Sequence, residues 1–344
     1  MPDRLKSALA ITGSLVLAAG LLYLSLRNAD MSAVAAALRG GSYGWLIPMA
    51  AVSVLSVVIR AWRWTLLLKA LPEEAETNGP PPTLGLALGA TFIGYLVNYV
   101  APRAGEIARA ANVSAKSRPS FSATLGTVVA ERLLDVATLA IALLSVVLLY
   151  GNRVAFVTEG LQRTASGALA QLPVSPAVLG VAVLAVGALA ALALWAVARR
   201  ASGRLAGMIA GFRDGLAALV RTRRPVALVV STLAMWACYG IMADLPLRLL
   251  GLTETYDLGL GAAWAVMCVG AVGMALPSPG GAGSYHYATV QALTLLFGVG
   301  ASAAATYALL AHAAQLVFYA VCGFAALLVQ GTSLRAARRP VPVP

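Results

Sequence analysis

Acids and arginines stand inside stretches that are otherwise apolar. Glu131, Arg132 and Asp135 fall within an apolar run at 121–150, where Thr124, Thr127, Glu131, Asp135 and Thr138 recur at three- and four-residue steps. On a helix that spacing gathers them on one face, a polar stripe along an apolar rod. Glu131 and Asp135, one turn apart, repel each other unless a cation separates them. Arginines elsewhere in the chain can supply it. Arg60 and Arg63 stand in Arg60-Ala-Trp-Arg63-Trp64, and Arg103 and Arg109 flank Glu106 at three-residue steps. Two arginines one turn apart can grip a phosphate, and carboxylates can pair with them when no ligand is bound or meet a cationic headgroup when one is. A purely structural reading competes with this: an ion-pair network that only locks helices together. Ionisable residues in apolar surroundings are costly and are therefore functional candidates first. Arg60 and Arg63, flanked by tryptophans, also suit anchoring at the headgroup level. Arg103 and Arg109 also suit ordinary positive charges of a cytoplasmic loop.

A second set lies in the other half of the chain. Asp244 precedes Pro246 and Arg248, and His312, Gln315 and Tyr319 form a stripe on the last apolar run. Ser278, Ser284 and His286 belong to or follow Leu276-Pro277-Ser-Pro279-Gly280-Gly281-Ala-Gly283-Ser284. The amides of such a Pro-Gly-Gly turn can form an anion-binding nest. A single histidine in a helix bundle is more commonly a packing residue than a proton carrier. A matching bend, Asn98-Tyr-Val-Ala-Pro102-Arg103-Ala-Gly105-Glu106, lies in the first half. A helix beginning near Gly105 would add the positive potential of its N-terminal amides.

The elements that must position these residues are membrane helices. Of 344 residues, 60% are hydrophobic and 11% charged, against about 25% charged in a soluble domain. Apolar segments read at 8–26, 44–68, 84–100, 121–150, 177–198, 226–250, 258–276, 286–299 and 303–329. Arg4 and Lys6, the arginines of 199–225, and Arg335, Arg338 and Arg339 all belong on the cytoplasmic side by the positive-inside rule. Simple counting of crossings violates that assignment. It is restored if 84–118 and 258–299 each dip into the membrane and return. Proline and glycine at both bends permit this, and irregular backbone at membrane depth must face protein or a watery cavity. The expected architecture is an all-α polytopic protein: one transmembrane domain, 1–344, with half-repeats at 8–150 and 177–329 in opposite orientation. Each half reads span, span, re-entrant hairpin, span, giving about six full spans and two hairpins. A basic cytoplasmic loop, 199–225, with room for a surface helix, joins the halves.

The net charge of +12 invites a nucleic-acid reading, which the placement of the basic residues between apolar segments argues against. Cys238, Cys268 and Cys322 have no zinc or disulfide spacing. No cofactor, metal or P-loop nucleotide site is expected. Residues 1–26 are read as an uncleaved first span in preference to a signal peptide.

The chain resembles the flippase-like transmembrane domain family named for lysylphosphatidylglycerol synthase. The pieces that carry the resemblance are Arg60-Ala-Trp-Arg63-Trp64, Asn98 to Glu106 with Arg109, Glu131-Arg132-Leu-Leu-Asp135, and Leu276 to Ser284, in order across nearly the whole chain. The resemblance implies a lipid translocase with cavities open to opposite leaflets and leaves the lipid unspecified. No aminoacyl-transferase domain is read in these residues, so lysyl transfer is not expected. Tyr285-His286 stands where the family motif usually continues with an acidic residue. The expectation is therefore a multi-pass cell-membrane transporter, not an enzyme, with cytoplasmic termini. Its partners would be lipids with anionic or zwitterionic headgroups. A separate lipid-synthesising enzyme and a homo-oligomer stand as further candidate partners. Competing readings are a non-catalytic scaffold for a lipid-modifying enzyme, a small-solute carrier, and an intramembrane hydrolase using Ser284 and His312.

Overall fold

The computed structural model describes residues 3–72, 79–101, 103–169, 203–276 and 278–331, and these are helical throughout apart from turns. The helices are α1 (Asp3–Leu26), α2 (Met31–Arg39), α3 (Leu46–Leu68), α4 (Leu84–Val100), α5 (Ala104–Ser114), α6 (Phe121–Leu169), α7 (Gly203–Arg221), α8 (Pro225–Leu249), α9 (Leu260–Ala275), α10 (Ser284–Gln291) and α11 (Ala301–Val329). Stretches at 43–68, 121–151, 225–249 and 301–329 are long and apolar enough to cross a membrane. Their outward faces carry exposed large apolar side chains, among them Val136, Ile141 and Leu148 on α6, Val229 and Leu233 on α8, and Val321 and Phe324 on α11. Water would not tolerate so much contiguous apolar surface, and a lipid environment does. The chain is a multi-pass membrane protein.

Several expectations change. The apolar part of α1, Thr12–Leu26, is shorter than a full span, so four described helices reach spanning length where about six were expected. The span expected at 177–198, the bend prolines Pro102 and Pro277, and the C-terminal arginines lie outside the described residues. The 199–225 stretch is mostly helix α7, which packs along α6. The 121–150 segment continues to Leu169 past a break at Tyr150 (φ −126°, ψ 23°). Helix α2 was not anticipated. Asp30 caps it, its carboxylate accepting from the Ser32 amide at 2.8 Å and the Ser32 hydroxyl at 2.7 Å. Those bonds, led by the hydroxyl, hold Asp30 below the usual carboxylate range.

Helices α4 and α9 are 17 and 16 residues long, short of the ~30 Å hydrocarbon core at 1.5 Å per residue. Each folds back on its successor, α4 on α5 and α9 on α10. Glycines set the close approach. A Cβ on Gly94 would stand 2.9 Å from the Gly105 carbonyl oxygen, and one on Gly273 would stand 2.6 Å from that of Ser284. Around these hairpins α3 packs along α8, α4 meets α11, and α9 meets α6. Likewise α6 covers α7, while α11 covers α2.

The glycine contact yields a test. A Cβ on Gly105 of α5 would run into Gly94 and the Asn98 side chain, whereas one on Gly85 of α4 meets nothing within 4 Å. Gly105→Ala is expected to cost ~1–3 kcal/mol, the range for overpacking. Gly85→Ala is expected to be neutral or slightly stabilising. Thermal unfolding in detergent measures both.

Candidate functional site

Consecutive turns of α3 present Arg60 and Arg63 to the polar face of α6. Glu131, wholly buried, accepts on Oε1 from Arg60 Nε at 2.8 Å and Arg63 Nη2 at 2.9 Å. Arg109 Nη2, arriving from α5, lies 2.8 Å from Glu131 Oε2. Asp135 accepts from Arg63 Nη2 at 2.7 Å on Oδ1 and from Arg60 on Oδ2. Arg63 Nη1 also reaches Thr232 on α8 at 3.2 Å. The Arg109 guanidinium lies 4.7 Å over the Trp64 ring, whose Nε1 donates to Thr127 at 3.0 Å. Burial without such partners would be prohibitive for ions. Three arginines face two carboxylates in this core, leaving one positive charge in excess.

In front of the network lies a cavity of about 750 Å³, within the ~300–1,000 Å³ range of ligand sites. Arg60, Arg103, Glu106, Arg132 and Asp135 form its charged wall. Arg132 Nη2 lies 3.1 Å from Glu106 Oε1, and its Nη1 lies 3.7 Å from Asp135 Oδ2. Apolar side chains, Met49, Leu139, Met242, Met267 and Met274 among them, make up most of the rest, together with six tyrosines. Tyr95 stacks on Tyr319 with ring centroids 4.8 Å apart, and Arg60 Nη1 donates to the Tyr95 hydroxyl at 3.1 Å and the Tyr239 hydroxyl at 3.5 Å.

The hairpin bends meet beside this cavity. Arg103 Nη2 donates to the Ala275 carbonyl at the end of α9, at 2.7 Å. A Cβ on Gly280 would stand 2.7 Å from the Tyr99 ring of α4. Arg103 has left-handed backbone (φ 64°, ψ −1°), unusual for a residue with a Cβ and a pointer to function when seen at a ligand-facing turn. Among the described residues, Arg103 has no carboxylate partner, whereas Arg60, Arg63, Arg109 and Arg132 each do.

The sequence-derived candidates divide accordingly. Arg60, Asn98, Arg103, Glu106, Arg132, Asp135, Ser278, His312, Gln315 and Tyr319 reach the cavity wall. Arg63, Arg109 and Glu131 sit behind it as the buried network. Arg60 and Arg63 are buried to within 5% and 0% exposure, which argues against headgroup-level anchoring. Asn98 Oδ1 also accepts from the Gly105 amide at 2.7 Å, closing the first bend. Ser284 and His286 shape the second bend instead of lining the cavity. Ser284 Oγ lies 2.7 Å from Ser278 Oγ and donates to the Gly281 carbonyl at 3.3 Å, while His286 Nδ1 accepts from the Gly283 amide at 3.2 Å. Among the described residues the hydroxyl of Ser284 thus engages no imidazole, and His312 has no hydrogen-bond partner on either ring nitrogen. Asp244 falls away from the cavity: it accepts from Arg248 Nε at 2.5 Å, one turn along α8, and Arg248 in turn lies 5.9 Å over the Trp45 ring. Tyr95, Tyr99, Tyr239 and Tyr307 also line the cavity and were missed. Tyr95, Asn98 and Tyr99, at helical spacing just before the bend, were the available signal.

Fold and site together define a helical membrane protein that holds a charged chamber between two packed hairpins. The chain belongs to the family described as the lysylphosphatidylglycerol synthase TM region, which it matches over residues 11–323. It is also similar to the glycosyltransferase AglD of Haloferax volcanii, 28% identical over 366 aligned positions that take in 97% of this chain and 56% of that protein. The chain thus spans just over half the length of that relative. No solved structure matches it.

Proposed function

We propose that this protein moves a lipid with a phosphate-bearing headgroup between the leaflets of a membrane. The observation that carries the reading is Arg103: a cation without a carboxylate partner among the described residues, at the junction of both hairpins, on the wall of a chamber whose other charges are already paired. The headgroup phosphate binds there, with Arg60 and Arg132 alongside, while the acyl chains stay in lipid. The excess positive charge of the buried network favours an anion. Glu106 and Asp135 keep Arg132 and Arg60 partnered when the chamber is empty.

The architecture proposed for this movement is an inverted repeat with two re-entrant hairpins and cytoplasmic termini. It is supported by the recurrence of short helix, span, hairpin, span as α2 to α6 and α7 to α11. The packing has the same exchange symmetry: α4 with α11 answers α9 with α6, and α2 with α11 answers α7 with α6. A second reading rests on the similarity to a protein named as a glycosyltransferase. In it the chamber presents a lipid to a sugar-transferring partner without moving it.

Reconstitution in liposomes with headgroup-labelled lipid separates the two. Leaflet exchange above that of empty liposomes, lost in Arg103→Ala, is expected for translocation. Binding of the labelled lipid with exchange no faster than in empty liposomes would favour presentation and overturn translocation.

A further inference from the structure

We infer that the lipid carried in this chamber has an uncharged, hydroxyl-bearing group beyond its phosphate, a polyol such as glycerol, inositol or a sugar, and that His312 reads it. The inference rests on the lipid-binding reading above and names its substrate class. His312 lies on the cavity wall, 7% exposed, with neither ring nitrogen hydrogen-bonded among the described residues. A neutral imidazole offers one donor and one acceptor. Leaving both unmet at a buried site is costly, and a ligand group that both donates and accepts relieves that cost. A hydroxyl does so, and adjacent hydroxyls do so for both nitrogens at once.

The position of His312 relative to the phosphate site agrees. Arg60 is bonded to Tyr95, Tyr95 stacks on Tyr319, and Gln315 Nε2 lies 3.5 Å from the Tyr319 hydroxyl. His312 follows on the same face of α11, two turns from Tyr319, or about 10 Å along the axis. The charged wall therefore grades into a neutral one of Tyr319, Gln315 and His312, with Tyr285 and His286 packed on His312 at ring distances of 5.3 Å and 4.8 Å. A headgroup lying along it meets arginine first and neutral hydrogen-bonding groups second.

A choline or ethanolamine headgroup fits less well. The tyrosines could face such a cation, but Asp135 and Glu106 are already paired with Arg60 and Arg132, so no carboxylate on the wall is left for a cationic group. A quaternary ammonium also offers His312 no hydrogen bond.

The test uses the purified full chain in detergent, with phosphatidylglycerol, phosphatidylinositol, phosphatidate and phosphatidylcholine of identical acyl chains as probes and binding read by native mass spectrometry in competition. Wild type is expected to bind phosphatidylglycerol or phosphatidylinositol about tenfold more tightly than phosphatidylcholine, the size of one unmet buried hydrogen bond. His312→Leu is expected to lose that preference while binding phosphatidate as before, and His312→Gln, whose amide both donates and accepts, to recover much of it. Equal binding of the polyol lipids and phosphatidylcholine by wild type overturns the inference without any variant. Weakening of every lipid alike in His312→Leu, or an intact preference, overturns the role of His312. Absence of binding by all four lipids would instead bring down the lipid-binding reading itself.

Discussion

Arg103→Gly is expected to lower leaflet exchange at least tenfold in proteoliposomes while leaving the protein at least as stable as Arg103→Ala. The two substitutions remove the same guanidinium and the same bond to the Ala275 carbonyl, so they are expected to lose transport equally. They differ at the backbone. Arg103 has φ of 64°, a region in which a Cβ costs ~1–2 kcal/mol and glycine is at ease. Alanine keeps that strain and glycine relieves it, partly offset by the greater freedom of glycine in the unfolded chain. Glycine is therefore expected to melt above alanine, by up to about 1 kcal/mol. The loss of exchange follows from the loss of a charge-assisted hydrogen bond to phosphate, ~1.5–3 kcal/mol, or from about tenfold to somewhat over a hundredfold in rate or affinity. Arg103→Lys keeps the charge without the fork and should retain part of the exchange. Wild-type exchange in Arg103→Gly would mean the guanidinium only ties the hairpins together, and the proposed route for the phosphate would be lost.

What was legible in the sequence follows the range of the interactions. The Glu131–Asp135 stripe is a three-and-four spacing within one helix, and the structure keeps it as one polar face. Both Pro-Gly bends are local features, and each does turn one helix back on the next. The depth of Arg60 and Arg63 was not legible, because tryptophan-flanked arginines at a helix end suit the headgroup level equally well. Only the packing of α3 on α6 and α8 decides that they are buried. Tyr95 and Tyr239 were invisible for a related reason: a tyrosine in an apolar helix reads as ordinary packing until an arginine from another helix is found at its hydroxyl. The place of Asp244 off the cavity wall had a local signal, since Arg248 stands four residues on, at the spacing that lets a helix satisfy its own acid. Helix α2, nine residues long, is too short for periodicity to separate it from a loop.

Glu131 bears the largest expected effect on stability. It is the one carboxylate in contact with all three buried arginines, and Arg109 has no other acid among the described residues. Glu131→Gln leaves Arg60 and Arg63 to share Asp135 and strands Arg109 beneath the Trp64 ring. Removing one partner from a buried ion pair costs ~3–5 kcal/mol, because the charge left behind stays out of water. Asp135→Asn should cost less, since its side chain is 15% exposed and water from the cavity can reach Arg60. If stranded charge is the cause, Arg109→Met added to Glu131→Gln should recover much of the loss, because the core returns to its original excess of one positive charge and the thioether fills the space over Trp64. Melting of Glu131→Gln, Arg109→Met and the double variant in detergent, against the sum of the single changes, reads this coupling directly. A cost under about 1 kcal/mol for Glu131→Gln would mean that water already solvates the arginines. The network would then be part of the wet path along which a headgroup travels, not the lock behind it. The assignment of Arg63 and Arg109 to a supporting role would have to be given up.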